Sequence, residues 1–269
     1  MNLSYIHWNV SPELISLGPF QVRWYGLLFA AGFLIGFYIM RYIYRREKRP
    51  EKDLDTLLGY LLIGTIVGAR LGHCFFYEPV YYLSNPLEII KVWEGGLASH
   101  GGTIGVFLAL YLYTRRRPNQ PFIWLCDRLT IPTALTASLI RLGNLFNSEI
   151  YGKITSVPWA FVFERVDPHP RHPTQLYEAV VYLALFGGLY SWYRRTSPGQ
   201  WRVGKPLGIF LLWVFGWRFL IEWVKEPQEA FNLGVPLNMG QLLSIPFLVA
   251  GAYLVWRRAS TFEVNSSNR

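Results

Sequence analysis

The chain has 269 residues, of which 52% are hydrophobic and 17% aromatic, while only 16% are Asp, Glu, Lys or Arg. Soluble domains carry about 25% charged residues, so the composition argues against a soluble enzyme. A net charge of +9 would raise nucleic-acid binding in a soluble domain, but here the positions of the charges matter more than their sum, and we expect no nucleic-acid partner. Two cysteines exclude a disulfide-rich scaffold, and no Cys/His spacing predicts a metal site.

Apolar segments recur along the whole chain, and a run of about 20 such residues crosses the roughly 30 Å of hydrocarbon in a bilayer. The sequence therefore predicts an all-α, polytopic membrane protein that forms one domain over residues 1–269. The third predicted span is short, so its outer end is expected to reach back into residues 95–99 as irregular backbone that lines a cavity. Seven spans are predicted, near residues 24–44, 54–77, 101–114, 121–141, 174–193, 207–225 and 238–256.

Lysine and arginine concentrate in alternate loops, which sets the expected orientation because cytoplasmic loops carry the excess of these residues. The segment before Arg23 has neither residue type, and the loop after the second span has only Lys91. We therefore predict an outer N-terminus, which we expect to be retained, and a cytoplasmic C-terminus. The long outer loop, residues 147–173, is expected to form a small periplasmic cap. The loops predicted to be cytoplasmic contain Arg41, Arg45, Arg46, Lys48, Arg49, Lys52, Arg115, Arg116, Arg117, Arg194, Arg195, Arg202 and Lys205, and the tail adds Arg257 and Arg258.

Ionisable groups within the spans are functional candidates, because a charge in a lipid-facing segment costs roughly 2.5 to 3.5 kcal/mol. With the predicted orientation, the candidates fall in the outer leaflet, where cations outnumber anions, whereas Asp127 and Arg128 lie near the inner boundary, where snorkelling suffices. Buried guanidinium groups need an anionic partner, and their planar fork suits phosphate. The sequence thus predicts an outward cavity for a lipid phosphate. The candidates are Arg70, His100, Arg141, Asn144, Gln175, Glu178, Arg218 and Glu222.

Several of these residues have a structural alternative. Arg218 and Glu222 lie four residues apart and could neutralise each other on one helix face. Arg70 lies in a stripe of glycines at positions 64, 68 and 72, for which close helix packing is the favoured interpretation. For Arg70 itself, a structural ion pair and ligand binding are both open. The glycines after His100 predict close approach by a ligand or by a neighbouring helix.

Motifs along nearly the whole chain resemble the bacterial prolipoprotein diacylglyceryl transferase family. The chain departs from the family pattern at Val214, where a tyrosine is frequent, and at residues 225–228, where Arg-x-Pro-Asp is frequent; both departures concern outer-rim lipid contacts. The matching motifs are Leu-Gly-Pro at 17–19, Arg-Trp-Tyr-Gly at 23–26, His-Gly-Gly-x-Ile-Gly at 100–105, Arg-Leu-Gly-Asn-x-x-Asn-x-Glu-x-x-Gly at 141–152, Arg-His-Pro-Thr-Gln-Leu-Tyr-Glu at 171–178, Arg-Phe-x-x-Glu at 218–222 and Met-Gly-Gln-x-Leu-Ser-Ile-Pro at 239–246.

The resemblance implies an inner-membrane enzyme that moves the diacylglyceryl group of phosphatidylglycerol onto the lipobox cysteine of a prolipoprotein signal peptide. A thioether forms and glycerol phosphate leaves. No cofactor is implied, because the lipid is already an activated alkyl donor, and we expect a monomer. His100 suits acid/base work on the thiol, and Arg141 and Arg218 suit charge developing on the leaving phosphate. The expected substrate-binding residues are Tyr25, Arg70, Asn144, Glu149, Gly152, Gln175 and Glu222.

Two other classes compete with this interpretation. An outward-facing lipid or anion transporter would also place arginines in an outer cavity, but it needs an inward route, and the predicted inner half carries few charges. A membrane protease needs a nucleophile and a base; Ser99 adjoins His100, but no Gly-x-Ser-x-Gly motif exists in the chain. The transferase is therefore the favoured function.

Overall fold

The computed structural model describes residues 5–17, 20–197, 200–226 and 237–257. The chain divides into two compact units, which are described in turn: unit 1 joins the residues up to Met40 with those from Cys126 onward, and unit 2 comprises Arg41–Leu125. The described helices are α1 (Trp24–Arg46), α2 (Lys52–Phe76), α3 (Pro79–Ser84), α4 (Ser99–Arg115), α5 (Phe122–Asn147), α6 (Thr174–Arg195), α7 (Lys205–Ile221) and α8 (Met239–Trp256).

A helix covers most of each of the seven predicted spans. Three of the described helices, α1, α2 and α8, are both long and apolar enough to cross a membrane. Helix α5 continues to Asn147, so Arg141 and Asn144 lie inside its last two turns. Helix α7 ends at Ile221, earlier than predicted, because the backbone after Glu222 hydrogen-bonds to residues 151–153 instead of continuing the helix.

The expectation of an all-α fold is wrong for the short strands of unit 1. Strands β1 (Ile6–Trp8), β4 (Phe161–Phe163) and β5 (Pro170–Arg171) form one sheet, and β2 (Glu13–Leu17) pairs with β3 (Phe20–Arg23) in another. Strand β1 runs parallel to β4, and strand β5 runs antiparallel to β4. A hydropathy profile does not detect such elements because they are two to five residues long and their pairing is non-local.

The predicted cap at residues 147–173 is thus built on a sheet that also includes the N-terminal strand β1. Its core contains Leu145, Phe161 and Phe163, against which Trp8 packs. The indole of Trp8 also donates to the carbonyl of Leu145 at 3.0 Å. The end of α5 and the sheet therefore share one small hydrophobic core, which fixes the chain that follows Asn147.

In unit 2, α2 and α4 pack backbone against backbone along the predicted glycine stripe. A Cβ added at Gly64 would lie 2.7 Å from the carbonyl oxygen of Gly105, and one at Gly72 would lie 2.6 Å from the Cα of Gly101. The packing interpretation of the stripe is confirmed, and the glycines after His100 face the neighbouring helix α2. Before α4, Gly95 and Gly96 adopt φ values of 90° and 66°, so the expected irregular backbone is present.

The glycine contact predicts a specific loss of stability. Gly68→Ala should destabilise unit 2 by about 1 to 3 kcal/mol, because the new Cβ would lie 2.7 Å from the Cα of Gly105 and backbone must move to admit it. Gly59→Ala, in the same helix but with no atom within 4 Å of the added Cβ, should be neutral or stabilising. Thermal unfolding of the purified variants in detergent measures both; equal transitions for the two would contradict the packing.

Candidate functional site

A fully buried carboxylate lies at the centre of the charged cluster in unit 1. Glu178, in the first turns of α6, has no solvent exposure. Its Oε2 lies 3.1 Å from Nε of Arg141 and 3.7 Å from Nζ of Lys225, and its Oε1 accepts from the hydroxyl of Tyr182 at 3.4 Å. One carboxylate thereby holds two cations, which come from α5 and from the segment after α7.

A chain of hydrogen bonds continues from Arg141 along the end of α5. Arg141 donates from Nη1 to Oδ1 of Asn144 at 3.2 Å, and Asn144 donates from Nδ2 to Oε1 of Glu149 at 2.7 Å. Gln175, which is fully buried, donates to the backbone carbonyl of Glu149 at 2.7 Å. Four of the predicted site residues, Arg141, Asn144, Glu149 and Gln175, therefore form one connected network.

The turn that carries Glu149 has strained backbone. Ser148 and Ile150 on either side of it adopt φ values of 54° and 58°, a left-handed region that costs a residue with a side chain about 1 to 3 kcal/mol. Neighbouring groups hold this conformation: Arg165 donates to the Ser148 hydroxyl at 2.9 Å, and Thr174 donates to the carbonyl of Ile150 at 2.7 Å. The strain is therefore supported from two sides and fixes the position of Glu149.

Arg218 approaches the same cluster without a carboxylate of its own. Arg141 and Arg218 both lie close enough to Tyr182 and Lys225 to interact electrostatically with them. Among the described residues, no carboxylate pairs with Arg218, so the alternative in which Glu222 neutralises it is not observed. The binding of an anionic ligand by Arg218 stays a prediction.

Glu222, at the end of α7, contacts the start of α8. Its Oε2 accepts from Nδ2 of Asn238 at 3.2 Å. Asn238 caps α8 through a reciprocal pair of hydrogen bonds with Gln241. A Cβ added at Gly240 would clash with the Glu222 carboxyl carbon at 2.5 Å, so glycine at this position admits the carboxylate.

Tyr25 and Gly152 occupy defined places around this network. Tyr25 lies within electrostatic range of Arg141 and Glu149, and a Cβ added at Gly143 would lie 2.8 Å from its ring. A Cβ at Gly152 would come within 2.6 Å of both the Cβ of His172 and the carbonyl of Val224. Gly152 therefore allows three segments to meet, which is a packing role.

The two predicted site residues of unit 2 differ in their surroundings. Arg70 is buried and donates to backbone carbonyls of Glu88 at 2.6 Å, Ile89 at 3.0 Å and Gly95 at 2.7 Å. These bonds fold residues 86–96 over its guanidinium and favour a structural role, without an ion pair, over the expected substrate contact. His100 lies in the first turn of α4 with an exposed side chain.

The sequence did not assign site roles to two residues that the structure places at its centre. Glu178 was one of the polar residues of the outer leaflet but was not expected to be the shared partner of two cations. Lys225 was noted only as a departure from the family pattern, although its ammonium group is buried against Glu178. The charge of Glu178 and of Lys225 inside a predicted span is the signal that indicates these two residues. Their pairing with each other depends on tertiary contacts.

The fold and the cluster define a helical membrane protein whose charged cluster contains one fully buried carboxylate and partly buried arginines. Comparison of its sequence gives the family: the family profile described as prolipoprotein diacylglyceryl transferase matches residues 12–257, and the chain belongs to this family.

Relatives called phosphatidylglycerol–prolipoprotein diacylglyceryl transferase occur in several bacteria. The chain is 51% identical over 265 residues to that of Chloroherpeton thalassium, covering 98% of each chain. It is 54% identical over 250 residues to that of Tolumonas auensis, covering 93% of this chain and 96% of the relative. For Porphyromonas gingivalis the identity is 46% over 268 residues, with 94% and 95% covered.

A surface ion pair in the cap gives a pH-dependent prediction. Arg171 donates to Asp167 from Nε at 3.0 Å and from Nη2 at 2.6 Å, which holds the pKa of the Asp167 carboxyl below its ordinary value. A lowered folded-state pKa gives stability that is complete above the unfolded value, near 3.9, and is lost as the pH falls through the folded value.

We therefore expect Asp167→Asn to lower the stability of the protein by about 1 kcal/mol at pH 6, with a difference that shrinks below pH about 4. Thermal unfolding of both proteins across this range measures the effect. Glu164→Gln, which removes an equal charge from the exposed His7 pair in the same cap, controls for net charge. A difference between wild type and Asp167→Asn that grows in acid would contradict the assignment.

Proposed function

We propose that this protein transfers the diacylglyceryl group of phosphatidylglycerol to the lipobox cysteine of a prolipoprotein, in the first step of bacterial lipoprotein maturation. Family membership and the names of its relatives support this activity. The structural observation that carries it is the division of charge in unit 1, where Glu178 engages Arg141 and Lys225 while Arg218 keeps no carboxylate among the described residues. Such a cluster can accept a phosphodiester.

The proposed reaction displaces a phosphate oxygen from carbon. The cysteine sulfur forms a bond to the terminal glycerol carbon of the diacylglyceryl group, and the bond from this carbon to the phosphate oxygen breaks. The thiol proton passes to a base, and the negative charge moves onto the leaving glycerol phosphate. Arg141 and Arg218 would stabilise that charge, and one preorganised donor of this kind can contribute roughly 3 to 4 kcal/mol.

His100 is the proposed base. A thiol with an ordinary pKa near 8.5 attacks well only as the thiolate, and an imidazole with an ordinary pKa near 6.5 can accept its proton at neutral pH. The exposed position of the His100 side chain would make it accessible to a peptide substrate. The assignment rests on this chemistry and on the family motif that contains His100.

The remaining site residues would orient the arginines and the lipid head group. Asn144 connects Arg141 to Glu149, so it could fix the guanidinium of Arg141 relative to the strained turn. Tyr25 and Glu222 offer polar groups at the edges of the cluster, where the glycerol of the lipid would lie. Gln175 supports the turn through the carbonyl of Glu149.

The predicted topology belongs to the same proposal. Seven helices would cross the inner membrane, with the N-terminus outside, the C-terminus in the cytoplasm and residues 147–173 in a periplasmic cap. Three helices suited to membrane crossing and family membership support membrane insertion. A monomer without a cofactor would suffice for the reaction. The comparisons give no support to the alternative of an outward-facing lipid or anion transporter.

Removal of the proposed catalytic groups should abolish transfer. Arg218→Ala and Arg141→Ala should each lower transfer to a lipobox peptide by about 100-fold or more, and His100→Gln should do the same because no other imidazole is proposed to accept the proton. Purified protein, phosphatidylglycerol and a lipobox peptide are incubated, and the lipidated peptide is measured by mass spectrometry. A peptide with serine in place of cysteine should stay unmodified.

Two further variants sharpen this test. Arg218→Lys keeps the charge but loses the planar fork, so it should retain part of the activity. Arg194→Ala, at the opposite end of α6 from Glu178, should transfer at the wild-type rate. Wild-type transfer by Arg218→Ala would remove the phosphate-binding role, whereas loss of transfer in Arg194→Ala would indicate a general effect of removing arginine.

The orientation is tested independently of the chemistry. A reporter fused after Arg257, at the end of α8, should be located in the cytoplasm, whereas a cysteine placed at exposed Trp159 in the cap should react with a membrane-impermeant maleimide added outside the cell. These positions follow from the excess of Lys and Arg in the loops expected to be cytoplasmic. Labelling of the α8 end from outside would reverse the predicted topology.

A further inference from the structure

A basic cavity of about 420 Å³ opens in unit 2, where the loop between α1 and α2 meets the loop between α4 and α5. Its volume is within the range of small-ligand sites. The proposed transfer chemistry uses none of the residues that surround it. Among them are four cations and one carboxylate: Lys48, Arg49, Arg116, Arg117 and Asp53.

A buried hydrogen-bond network holds the two loops in place. The side chain of Gln120 is almost fully buried; it donates to Asp53 at 2.9 Å and accepts from the hydroxyls of Tyr44 at 2.7 Å and Tyr113 at 2.8 Å. Arg117 also donates to Asp53, at 3.1 Å. Buried polar networks with every member satisfied are rigid, so the walls of the cavity are preorganised.

The charges around the cavity are unevenly compensated. Asp53 is engaged by Arg117 and Gln120. The nearby carboxylate of Glu51 is engaged by Arg41 and Arg45, which lower its pKa to about 2. Among the described residues, no carboxylate pairs with Lys48 or with Arg116, whose Nη1 donates to the neutral hydroxyl of Tyr60 at 3.1 Å. The cavity therefore has an excess of positive charge.

Lys48 also occupies a backbone position that favours glycine. Helix α1 ends in a Schellman motif, in which the amide of Arg49 donates to the carbonyl of Tyr44 at 2.8 Å and that of Lys48 donates to Arg45 at 3.2 Å. Lys48 is the left-handed residue of this motif, with φ of 54°, where glycine is most common. A lysine at this position accepts backbone strain and places an ammonium group on the cavity.

We propose that this cavity binds the phosphate group of an anionic ligand, with the head group of an anionic membrane lipid as the expected source. The 47–51 loop joins α1 and α2, both of which are suited to crossing a membrane, so the cavity lies at the level of lipid head groups. Basic pockets beside the cytoplasmic ends of spans bind anionic head groups in this way. Free phosphate offers the same chemistry, and a competition experiment distinguishes it from a lipid as the ligand.

The experiment titrates delipidated protein with dioleoyl phosphatidic acid and counts bound lipid by native mass spectrometry. Each Lys or Arg removed should weaken binding by about fivefold. Lys48→Gly removes a charge while relieving the backbone strain, so it should fold at least as well as wild type and bind about fivefold more weakly. Lys48→Gly with Arg116→Gln should bind about 25-fold more weakly. Lys52→Gln, an equal charge loss at an exposed residue outside the cavity, is the matched control and should bind normally.

Inorganic phosphate distinguishes the two sources. Displacement of the lipid by millimolar phosphate would identify the phosphate group alone as the ligand, and retention of the lipid would show that its glycerol and acyl chains also contribute to binding. The proposal is overturned if the double variant binds phosphatidic acid like wild type, if Lys52→Gln weakens binding as much as Lys48→Gly, or if phosphatidylcholine binds equally well. Transfer activity in detergent should stay at the wild-type level in all three variants, so this test and the test of the proposed transferase activity fail independently.

Discussion

The arrangement of unit 1 depends on one buried carboxylate with two cationic partners. Removing an ion from water costs several kcal/mol even after relaxation; at Glu178, which has no exposure, this cost is offset by Arg141 and Lys225, which both approach the Oε2 atom. This interaction joins α5, α6 and the segment after α7. Among the described residues, no carboxylate pairs with Arg218.

The network around Arg141 extends this constraint into the cap. Glu149 lies on a turn flanked by two left-handed residues, and that turn is held by side chains from the cap and from α6. Asn144 connects the turn to the guanidinium. The strained residues therefore flank Glu149, a charged side chain of the network. Strained backbone is often found at functional sites.

Hydropathy and charge predicted a helix for most of each proposed span and several polar residues of the cluster, among them Arg141, Asn144 and Gln175, because burial of apolar surface and the cost of intramembrane charge are properties of short sequence segments. The resemblance to a known family added roles for those residues. The strands and the end of α7 were missed since they depend on distant partners: Ile6 pairs with Phe161, and Lys153 bonds to the carbonyl of Val224. For Arg70, residue type left a structural role and ligand binding open, and the structure shows that its donors are used by backbone carbonyls.

Arg70 and Arg218 together show what decides whether an arginine in a predicted span can bind a ligand. Both are candidates by the cost of burying charge, but the guanidinium of Arg70 is satisfied by four backbone carbonyls of residues 88–96. Carbonyl oxygens accept the hydrogen bonds of the Arg70 guanidinium but do not neutralise its charge. The loop is therefore ordered without an anion. Arg218 has no such loop and no paired carboxylate among the described residues. The supply of acceptors around each guanidinium, rather than the number of arginines, therefore distinguishes a structural arginine from one that can hold a phosphate.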